Sequence, residues 1–203
     1  MQPSVSFPLI SRQAQDFRVR LVCRKPYPPA YLALNKARPA ERLTPGKTSG
    51  YNSKTMATDR YRSIVDLHII LMKEDAVLLG KRQNTGFQDG SFHLPAGHLE
   101  KDETLISGAI REAAEELGVI IAAKNLHFVL LLHQFSGEGR IAVFFEATEW
   151  QGEPCNLEPD KCSALEWYSV ADLPDNMVPY ARAALEQYRS GHFFATFGWD
   201  SHS

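Results

Sequence analysis

Three glutamates, Glu112, Glu115 and Glu116, stand close together near the middle of the chain. On a helix, which turns by about 100° per residue, they project from one arc roughly 100° wide. Carboxylates this close repel each other, and more strongly in a partly enclosed cleft than on an open surface. A divalent cation reverses that repulsion, because carboxylate oxygens are ligands that Mg²⁺ and Mn²⁺ prefer. The spacing therefore favours a metal site, with a solvated acidic face as the simpler alternative.

The other side of the same segment is apolar. Four residues at helical spacing form a stripe that can pack on a sheet while the acids face a cleft: Ile106, Ile110, Ala113 and Leu117. We predict one amphipathic helix over the stretch 97–119, ending at Gly118, a residue suited to the left-handed cap. Arg111 stands beside the acidic trio, and Glu103 is placed to pair with it and orient it.

The elements that must position this helix are predicted from apolar patterns and turn signals. "SIVDLHIILM" and "AVLLGKRQ" predict a β-hairpin around "KED", and "FHLP" predicts a short extended segment. Further strands are predicted at 126–135, 140–150 and 163–170, and an amphipathic helix at 177–191. Hairpins with two helices, rather than regular strand–helix alternation, favour an α/β fold in which a mixed β-sheet is sandwiched between α-helices.

Size and composition favour one folded domain without a membrane span. The chain has 203 residues, of which 44% are hydrophobic and 23% are charged. It has no apolar run of about 18 residues or more, the length that would suggest a span. Cys23, Cys155 and Cys162 are too few and too scattered for a disulfide framework or a zinc site. We therefore expect a reducing, cytoplasmic location and no membrane partner.

The first 55 residues differ in character from the rest. They hold ten Lys or Arg but only two acids, and prolines and glycines interrupt any regular pattern. Three interpretations remain open: a disordered basic arm, an organellar transit peptide, or a non-native leader with translation starting at Met56. A solvated tail is favoured over a nucleic-acid-binding arm, because interleaved aromatic stacking residues are missing. We divide the chain into this leader, 1–55, and a folded domain, 56–203.

Residues 97–119 resemble the Nudix box, G-x5-E-x7-R-E-U-x-E-E-x-G-U, in which U is an aliphatic residue. Every fixed position matches: Gly97, Glu103, Arg111, Glu112, Ala113, Glu115, Glu116, Gly118 and Val119. The surrounding elements also look like the Nudix fold, so the resemblance covers about 60–200. It implies a Mg²⁺-dependent hydrolase, with Mn²⁺ as an alternative ion, that cleaves the diphosphate linkage of a nucleoside diphosphate derivative.

The resemblance also implies roles for the residues of the box. The metal ligands are its three clustered glutamates, and the carbonyl of Gly97 adds another oxygen. The catalytic residues are Glu112, Glu115, Arg111 and Glu103, of which Arg111 and Glu103 together hold the loop and the helix in place. These assignments follow from the family pattern and not from spacing alone.

The general base is not fixed by the box, because it is either a box glutamate or an acid from a later loop. Two downstream acids are candidates, Glu138 in the "SGEG" turn and Glu146 in the strand "AVFFEATEW". We rank Glu146 slightly higher, because an acid within an otherwise apolar strand is unusual and a catalytic role would explain it. Because side chains alternate between the two faces of a strand, Glu146 could equally point outward, toward solvent.

Contacts with a substrate are predicted outside the box. Arg82 ends the second strand, from which it could reach phosphates, and Phe92 is a candidate for stacking on a base, as is Tyr180. Asp175 and Asn176 precede the last helix, where a polar pair contacts the purine in some MutT-like members of the family. These residues complete the predicted site.

We predict hydrolysis of a nucleoside triphosphate, including damaged or non-standard ones, to the monophosphate and pyrophosphate. Two alternatives remain open: an ADP-ribose or nucleotide-sugar hydrolase, and a non-catalytic Nudix-like nucleotide sensor. The complete set of metal carboxylates argues against the sensor, because binding alone would not require all three. The expected partner is a small nucleotide rather than a nucleic acid, and a homodimer is left open.

Overall fold

The computed structural model describes residues 61–199. Within them the chain forms eight strands and two α-helices: β1 (Ile64–Lys73), β2 (Ala76–Arg82), β3 (Phe92–His93), β4 (Ala96–His98), α1 (Leu105–Leu117), β5 (Leu126–Phe135), β6 (Gly139–Ala147), β7 (Cys162–Ser169), α2 (Pro179–Arg189) and β8 (Phe194–Phe197). The leader 1–55 lies outside the described residues, so the division of the chain at Met56 stays a prediction.

The eight strands belong to one mixed sheet. Its order is β3-β2-β1-β6-β5-β8, while β4 pairs with β1 and β7 pairs with β2. β1 runs parallel to β6 and β5 runs parallel to β8, whereas the other pairs are antiparallel. β1 and β2 pair only beside their turn, Met72 with Val77 and Lys73 with Ala76. Beyond that point they take different partners, β4 for β1 and β3 for β2, and the sheet divides into two parts.

Each face of the sheet buries its own apolar cluster against one helix. Successive side chains of a strand point to opposite faces, so every central strand supplies both clusters. α2 contributes Ala184 and Leu185 to the cluster on one face. α1 contributes Ala109, Ala113 and Leu117 to the cluster on the other face. Burial of each large apolar side chain contributes about 1.5–3 kcal/mol. The arrangement confirms the predicted α/β fold with a mixed sheet between α-helices.

The acidic segment is helical only in its second half. α1 begins after Thr104, whose side chain accepts a hydrogen bond from Ser107 N (3.1 Å) while Ser107 Oγ accepts one from Thr104 N (2.8 Å). Gly118 ends the helix in the left-handed conformation, with φ 66°. The predicted helical start at Gly97 is wrong, because this residue lies in β4 and pairs with β1. A strand and a loop therefore precede the helix within the motif.

The other predicted elements are confirmed to within a few residues, namely the β1–β2 hairpin, β5, β6, β7 and α2. α2 begins at Pro179, whose fixed φ suits the first turn of a helix. The four-residue strand β8 was not predicted, and it forms through parallel pairing with β5. Between residues 61 and 199, no helix is both long enough and apolar enough to cross a membrane.

Candidate active site

A cavity of about 930 Å³ lies beside the region where the two parts of the sheet separate. It is lined by residues of β1 to β7, of both α-helices and of the loop before β7. Three box glutamates of the lining, Glu112, Glu115 and Glu116, form what we call the acidic rim. The strand and the helix that carry the box therefore place the acidic rim in the wall of this cavity.

The carboxylate of Glu112 lies directly against the backbone of Gly97. A Cβ at position 97 would overlap the carboxylate carbon and both of its oxygens. Glu112 is only 9% exposed, so its carboxylate is held between α1 and β4. The glycine at position 97 leaves room for this close approach, and the two residues are in direct contact in the same wall of the cavity.

Arg111 joins α1 to the loop in front of it. Its Nε and Nη2 donate to the two carboxylate oxygens of Glu103 (3.1 and 2.7 Å), and Nη2 also donates to the His98 carbonyl (3.1 Å). The same guanidinium donates through Nη1 to Glu112 (2.7 Å) and Glu115 (3.1 Å). Hydrogen bonding to Arg111 lowers the pKa of Glu103. The bidentate pair of Arg111 and Glu103 therefore fixes the loop on the helix.

Burial disfavours the charged form of two carboxyls of the acidic rim. Burial, followed by the charges of Glu112 and Glu158, raises the pKa of Glu116 to about 8. One oxygen of Glu116 accepts a hydrogen bond from Ala96 N (3.0 Å). Burial also raises the pKa of Glu112, against the opposing effect of Arg111. Without a cation, these two carboxyls hold their protons at higher pH than ordinary glutamates do.

A divalent cation fits the chemistry of the acidic rim, although the side chains are not yet gathered around one. Crowded carboxylates with raised pKa values are stabilised by a positive charge, and their oxygens suit Mg²⁺ or Mn²⁺. In the part of the chain that the structure describes, no three acidic, histidine or cysteine side chains form a ready-made ion site. Glu112 and Glu115 are turned instead toward Arg111. An ion would have to draw these carboxylates away from the guanidinium.

The loop between β6 and β7 is fastened to the C-terminal end of α1. Cys155 N donates to the Leu117 carbonyl (2.9 Å), and Leu157 N donates to the Glu116 carbonyl (3.0 Å). The last carbonyls of a helix lack partners within the helix, so the loop satisfies groups that would otherwise need water. These two hydrogen bonds give the loop a fixed position relative to the acidic rim.

This loop brings a further acid, Glu158, to the cavity. Its negative charge contributes to the raised pKa values of both Glu112 and Glu116, so it lies within electrostatic reach of the acidic rim. Lys161 Nζ donates to Glu158 Oε1 (2.9 Å). Sequence patterns do not single out Glu158, because the polar stretch "NLEPDK" has no periodicity and resembles an ordinary surface loop.

Residues 61–188 match the family model of the NUDIX domain. This chain belongs to the Nudix family. Similar proteins include putative nudix hydrolase 1 of Caenorhabditis elegans, 36% identical over 90 residues, and phosphatase NudJ of Escherichia coli, 31% identical over 103 residues. These matches cover 44% and 48% of this chain but 23% and 65% of those relatives. The matched part is thus less than two thirds of either relative.

A solved structure supports the Nudix fold over the same region. The MutT NUDIX hydrolase from Burkholderia pseudomallei superposes with a TM-score of 0.57 and is 29% identical in sequence. The superposition covers 63% of this chain and 98% of that one. Both the family resemblance and the Nudix fold expected from the box are therefore confirmed.

The two later acids weighed as general bases lie in different places in this Nudix domain. Glu138 lines the cavity and accepts a hydrogen bond from Arg140 Nη1 (3.1 Å). Glu146 accepts a hydrogen bond from Tyr188 of α2 and is not part of the lining. Glu146 pairs with Ile70, a core residue on the sheet face that packs against α2. Because paired residues point to the same face of a sheet, the side chain of Glu146 is directed toward that helix. The higher rank of Glu146 does not fit the structure.

Beside the Nudix box, Asp66 and Arg140 form an ion pair that sequence patterns do not reveal. Arg140 Nε and Nη2 donate to the two carboxylate oxygens of Asp66 (2.8 and 2.7 Å), which is 7% exposed. Arg140 Nη2 also lies 3.0 Å from His98 Nε2. The residues meet because β1 and β6 run parallel, with Ile64 opposite Arg140. Asp66, Arg140 and His98 all line the cavity, so a positive group faces it from β6.

Arg82 and Phe92, both predicted to bind substrate, occupy different environments. Arg82 lines the cavity, and its donors bind the Phe87 carbonyl (2.8 Å) and Thr85 Oγ1 (3.0 Å). Phe92 is 6% exposed and packs edge-on against Tyr168 in the core, with ring centroids 4.9 Å apart. The stacking role assigned to Phe92 does not fit, because its ring is covered by the protein and lies outside the cavity lining.

The polar pair Asp175 and Asn176 is exposed and lies outside the cavity lining. Asn176 Nδ2 donates to the Gly90 carbonyl (2.9 Å), and its own carbonyl accepts from Phe92 N (2.8 Å). Asn176 thus ties the loop before β3 to the start of α2. This position does not support the predicted contact of the pair with a ring edge. The other aromatic candidate, Tyr180, does line the cavity.

Proposed function

We propose that this protein is a Mg²⁺-dependent hydrolase that cleaves the diphosphate linkage of a nucleoside diphosphate derivative. The first candidate substrate is a nucleoside triphosphate, which would give the monophosphate and pyrophosphate. The observation that carries the proposal is the gathering of four acids, Glu112, Glu115, Glu116 and Glu158, around one cavity. Membership of the Nudix family and the similarity to a phosphatase and a MutT hydrolase support it.

The four acids suit a reaction at a diphosphate bridge, whose negative charge repels an attacking water. A bound divalent ion supplies positive charge at the phosphate oxygens and lowers the pKa of water. The three acids of the rim would hold that ion together with the carbonyl of Gly97. Arg111 would keep its bonds to Glu103 when the rim carboxylates turn away from it, so the loop and helix would stay aligned.

We assign the role of general base to Glu158. When a water oxygen attacks phosphorus, the bridging bond breaks, the electron pair leaves with the departing phosphate, and the proton of the water needs an acceptor. Glu158 lines the cavity from a loop outside α1, and Lys161 holds only one of its oxygens, Oε1. Arg82 and Arg140 line other walls of the cavity, where they supply positive charge for phosphate oxygens.

Two alternatives differ from this proposal in their products. ADP-ribose or a nucleotide sugar would give two monophosphate products and no pyrophosphate. A sensor that binds a nucleotide without turnover would release neither product. The sensor is disfavoured because an additional acid beside the complete acidic rim serves hydrolysis better than binding, where it would only repel phosphate.

The test is Mg²⁺-dependent hydrolysis, by the full chain, of standard and oxidised nucleoside triphosphates, ADP-ribose and nucleotide sugars. Separate assays for pyrophosphate and for monophosphates identify the bond that is cleaved. Glu116→Gln is the variant expected to lose activity, and Glu186→Gln, an exposed carboxylate of α2, is the matched control expected to retain it. Pyrophosphate release supports the first substrate class, two monophosphates support the second, and no turnover with either Mg²⁺ or Mn²⁺ contradicts the proposal.

A further inference from the structure

One part of the cavity is lined by four polar side chains, which we call the polar floor: His68, His93, Gln134 and Tyr180. His68, His93 and Gln134 are 1%, 6% and 2% exposed. The ring of His68 stacks on Phe144, with centroids 4.4 Å apart and an interplanar angle of 13°. These groups come from β1, β3, β5 and α2, so they meet only in the folded chain.

Three members of the polar floor form a chain of hydrogen bonds with a fixed direction. His93 Nδ1 lies 2.6 Å from the Leu94 carbonyl, which can only accept, so Nδ1 carries a hydrogen. Burial lowers the pKa of His93 to about 3, so the ring is neutral and Nε2 accepts from the Tyr180 hydroxyl (2.7 Å). That bond uses the single hydroxyl hydrogen, so Gln134 donates to the Tyr180 oxygen. Both ring nitrogens of His93 are therefore occupied.

His68 is not part of this chain of hydrogen bonds. Among the buried side-chain nitrogen and oxygen atoms of residues 61–199, only Nδ1 and Nε2 of His68 have no hydrogen-bond partner. Burial lowers the pKa of His68 to about 3, so the ring is neutral and offers one donor and one acceptor. Buried polar groups are normally paired, so an unpaired imidazole in a cavity wall points to a missing partner.

We propose that His68 is the specificity-determining residue of this cavity and hydrogen-bonds an uncharged polar ring, such as a nucleobase. A phosphate does not suit it, because a neutral imidazole offers one hydrogen and no positive charge. An aliphatic group does not suit it either, because both nitrogens would stay unpaired. The inference rests on the proposed function, since it assigns the polar floor to the base and the acidic rim to the phosphates of one substrate.

The test compares wild type with His68→Phe in binding nucleoside monophosphates and ribose 5-phosphate, measured by calorimetry on the full chain with Mg²⁺ present. Phenylalanine keeps an aromatic ring next to Phe144 but removes both nitrogens. We expect the preferred nucleotide to bind about tenfold more weakly to the variant, with ribose 5-phosphate unaffected. His127→Phe makes the same substitution at an exposed position of β5 and is expected to bind as wild type does.

Thermal melting separates a role in recognition from a purely structural one. His68→Phe is expected to melt at or above the wild-type temperature, because it removes two unpaired buried nitrogens. A structural role would instead lower the melting temperature and weaken both ligands alike. If His68→Phe does not fold, His68→Gln and His68→Leu replace it. Gln retains a donor and an acceptor, so it should preserve the preference for nucleotides that Leu loses.

Two outcomes would overturn the inference. One is equal affinity of wild type and His68→Phe for every nucleotide. The other is a wild-type protein that binds nucleotides no better than ribose 5-phosphate. Neither outcome depends on turnover, so the two proposals can fail separately. Base-dependent binding without hydrolysis of the panel contradicts only the proposed function, whereas hydrolysis with an unchanged base preference in His68→Phe contradicts only the role of His68.

Discussion

The acidic rim and the polar floor line one cavity, and burial acts on them in opposite directions. In the rim, burial raises the pKa values of Glu112 and Glu116, so these acids tend to hold a proton. In the floor, burial lowers the pKa values of His68 and His93, so these rings tend to lose one. Both regions therefore move toward neutrality. They differ in the partner that we propose for each, which is a cation for the rim and an uncharged hydrogen-bonding group for the floor.

The largest effect is expected when one carboxylate of the acidic rim is removed. Glu116→Gln should lower Mg²⁺-dependent kcat by about a thousandfold, because a lost metal ligand removes several kcal/mol of charge stabilisation in the transition state. Steady-state kinetics measure this loss, and thermal melting checks that the fold is retained. Turnover comparable to wild type would contradict the assignment of Glu116 to the metal.

A smaller loss is expected when the general base is removed and the rim is kept. Glu158→Gln should lower kcat by about a hundredfold, the usual contribution of a positioned base, without changing the Mg²⁺ concentration needed for half-maximal rate. Glu153→Gln, an exposed acid of the same loop, is the control. A large shift in Mg²⁺ dependence would make Glu158 a metal ligand instead.

Gly97→Ala tests the contact between β4 and the rim. The new Cβ would displace the Glu112 carboxylate, which is the end of a flexible side chain, so the fold should survive. We expect the apparent Mg²⁺ affinity to fall by about 10- to 100-fold, as when a ligand loses its positioning group. A Mg²⁺ titration of activity measures this, and an unchanged midpoint would show that Glu112 does not bind the ion.

A substitution in the polar floor should change the stability of the protein rather than its metal binding. Tyr180→Phe removes the hydroxyl that donates to His93 and accepts from Gln134, leaving buried polar groups unpaired. We expect a loss of about 1–3 kcal/mol in the free energy of unfolding, measured with urea, and no change in Mg²⁺ dependence. If Tyr180→Phe instead altered the Mg²⁺ dependence, the rim and the floor would not be separate regions.

An effect of similar size is expected in the pH dependence of the metal-free protein. The pKa of Glu116 is about 8 in the folded protein, against the ordinary glutamate value of 4.5, which applies in the unfolded chain. Its contribution to stability is therefore complete below about pH 4.5 and is lost as the pH rises through about 8. We expect the free energy of unfolding to fall by about 1–3 kcal/mol over this range, less than the full shift implies because the carboxyl is partly solvated. Glu116→Gln should remove this slope.

The parts of the molecule that sequence predicts are those with local patterns. The acids of the box share a helical face. The strands between β1 and β7 that contain long apolar runs can be predicted from those runs. β8 has only four residues and forms because β5 offers it an edge. The predicted helical start at Gly97 fails for a similar reason, since pairing with β1 overrides helical periodicity there.

The site residues that sequence does not predict come together through strand pairing and docked loops. Asp66 and Arg140 are 74 residues apart and meet across the β1–β6 pair. Glu158 reaches the cavity because its loop binds the end of α1. His68 stands in an apolar strand, where nothing in the local pattern shows that its ring nitrogens would lack partners.

Arg111 gives the acidic rim a built-in countercharge. Its guanidinium bridges Glu112 and Glu115 while staying bound to Glu103, so like charges are held together without any metal. Small metal domains that lack such a countercharge unfold when chelators strip them. With the proposed metal site, this domain should instead stay folded when divalent ions are removed, and rotation of its side chains should restore the site when Mg²⁺ is added again.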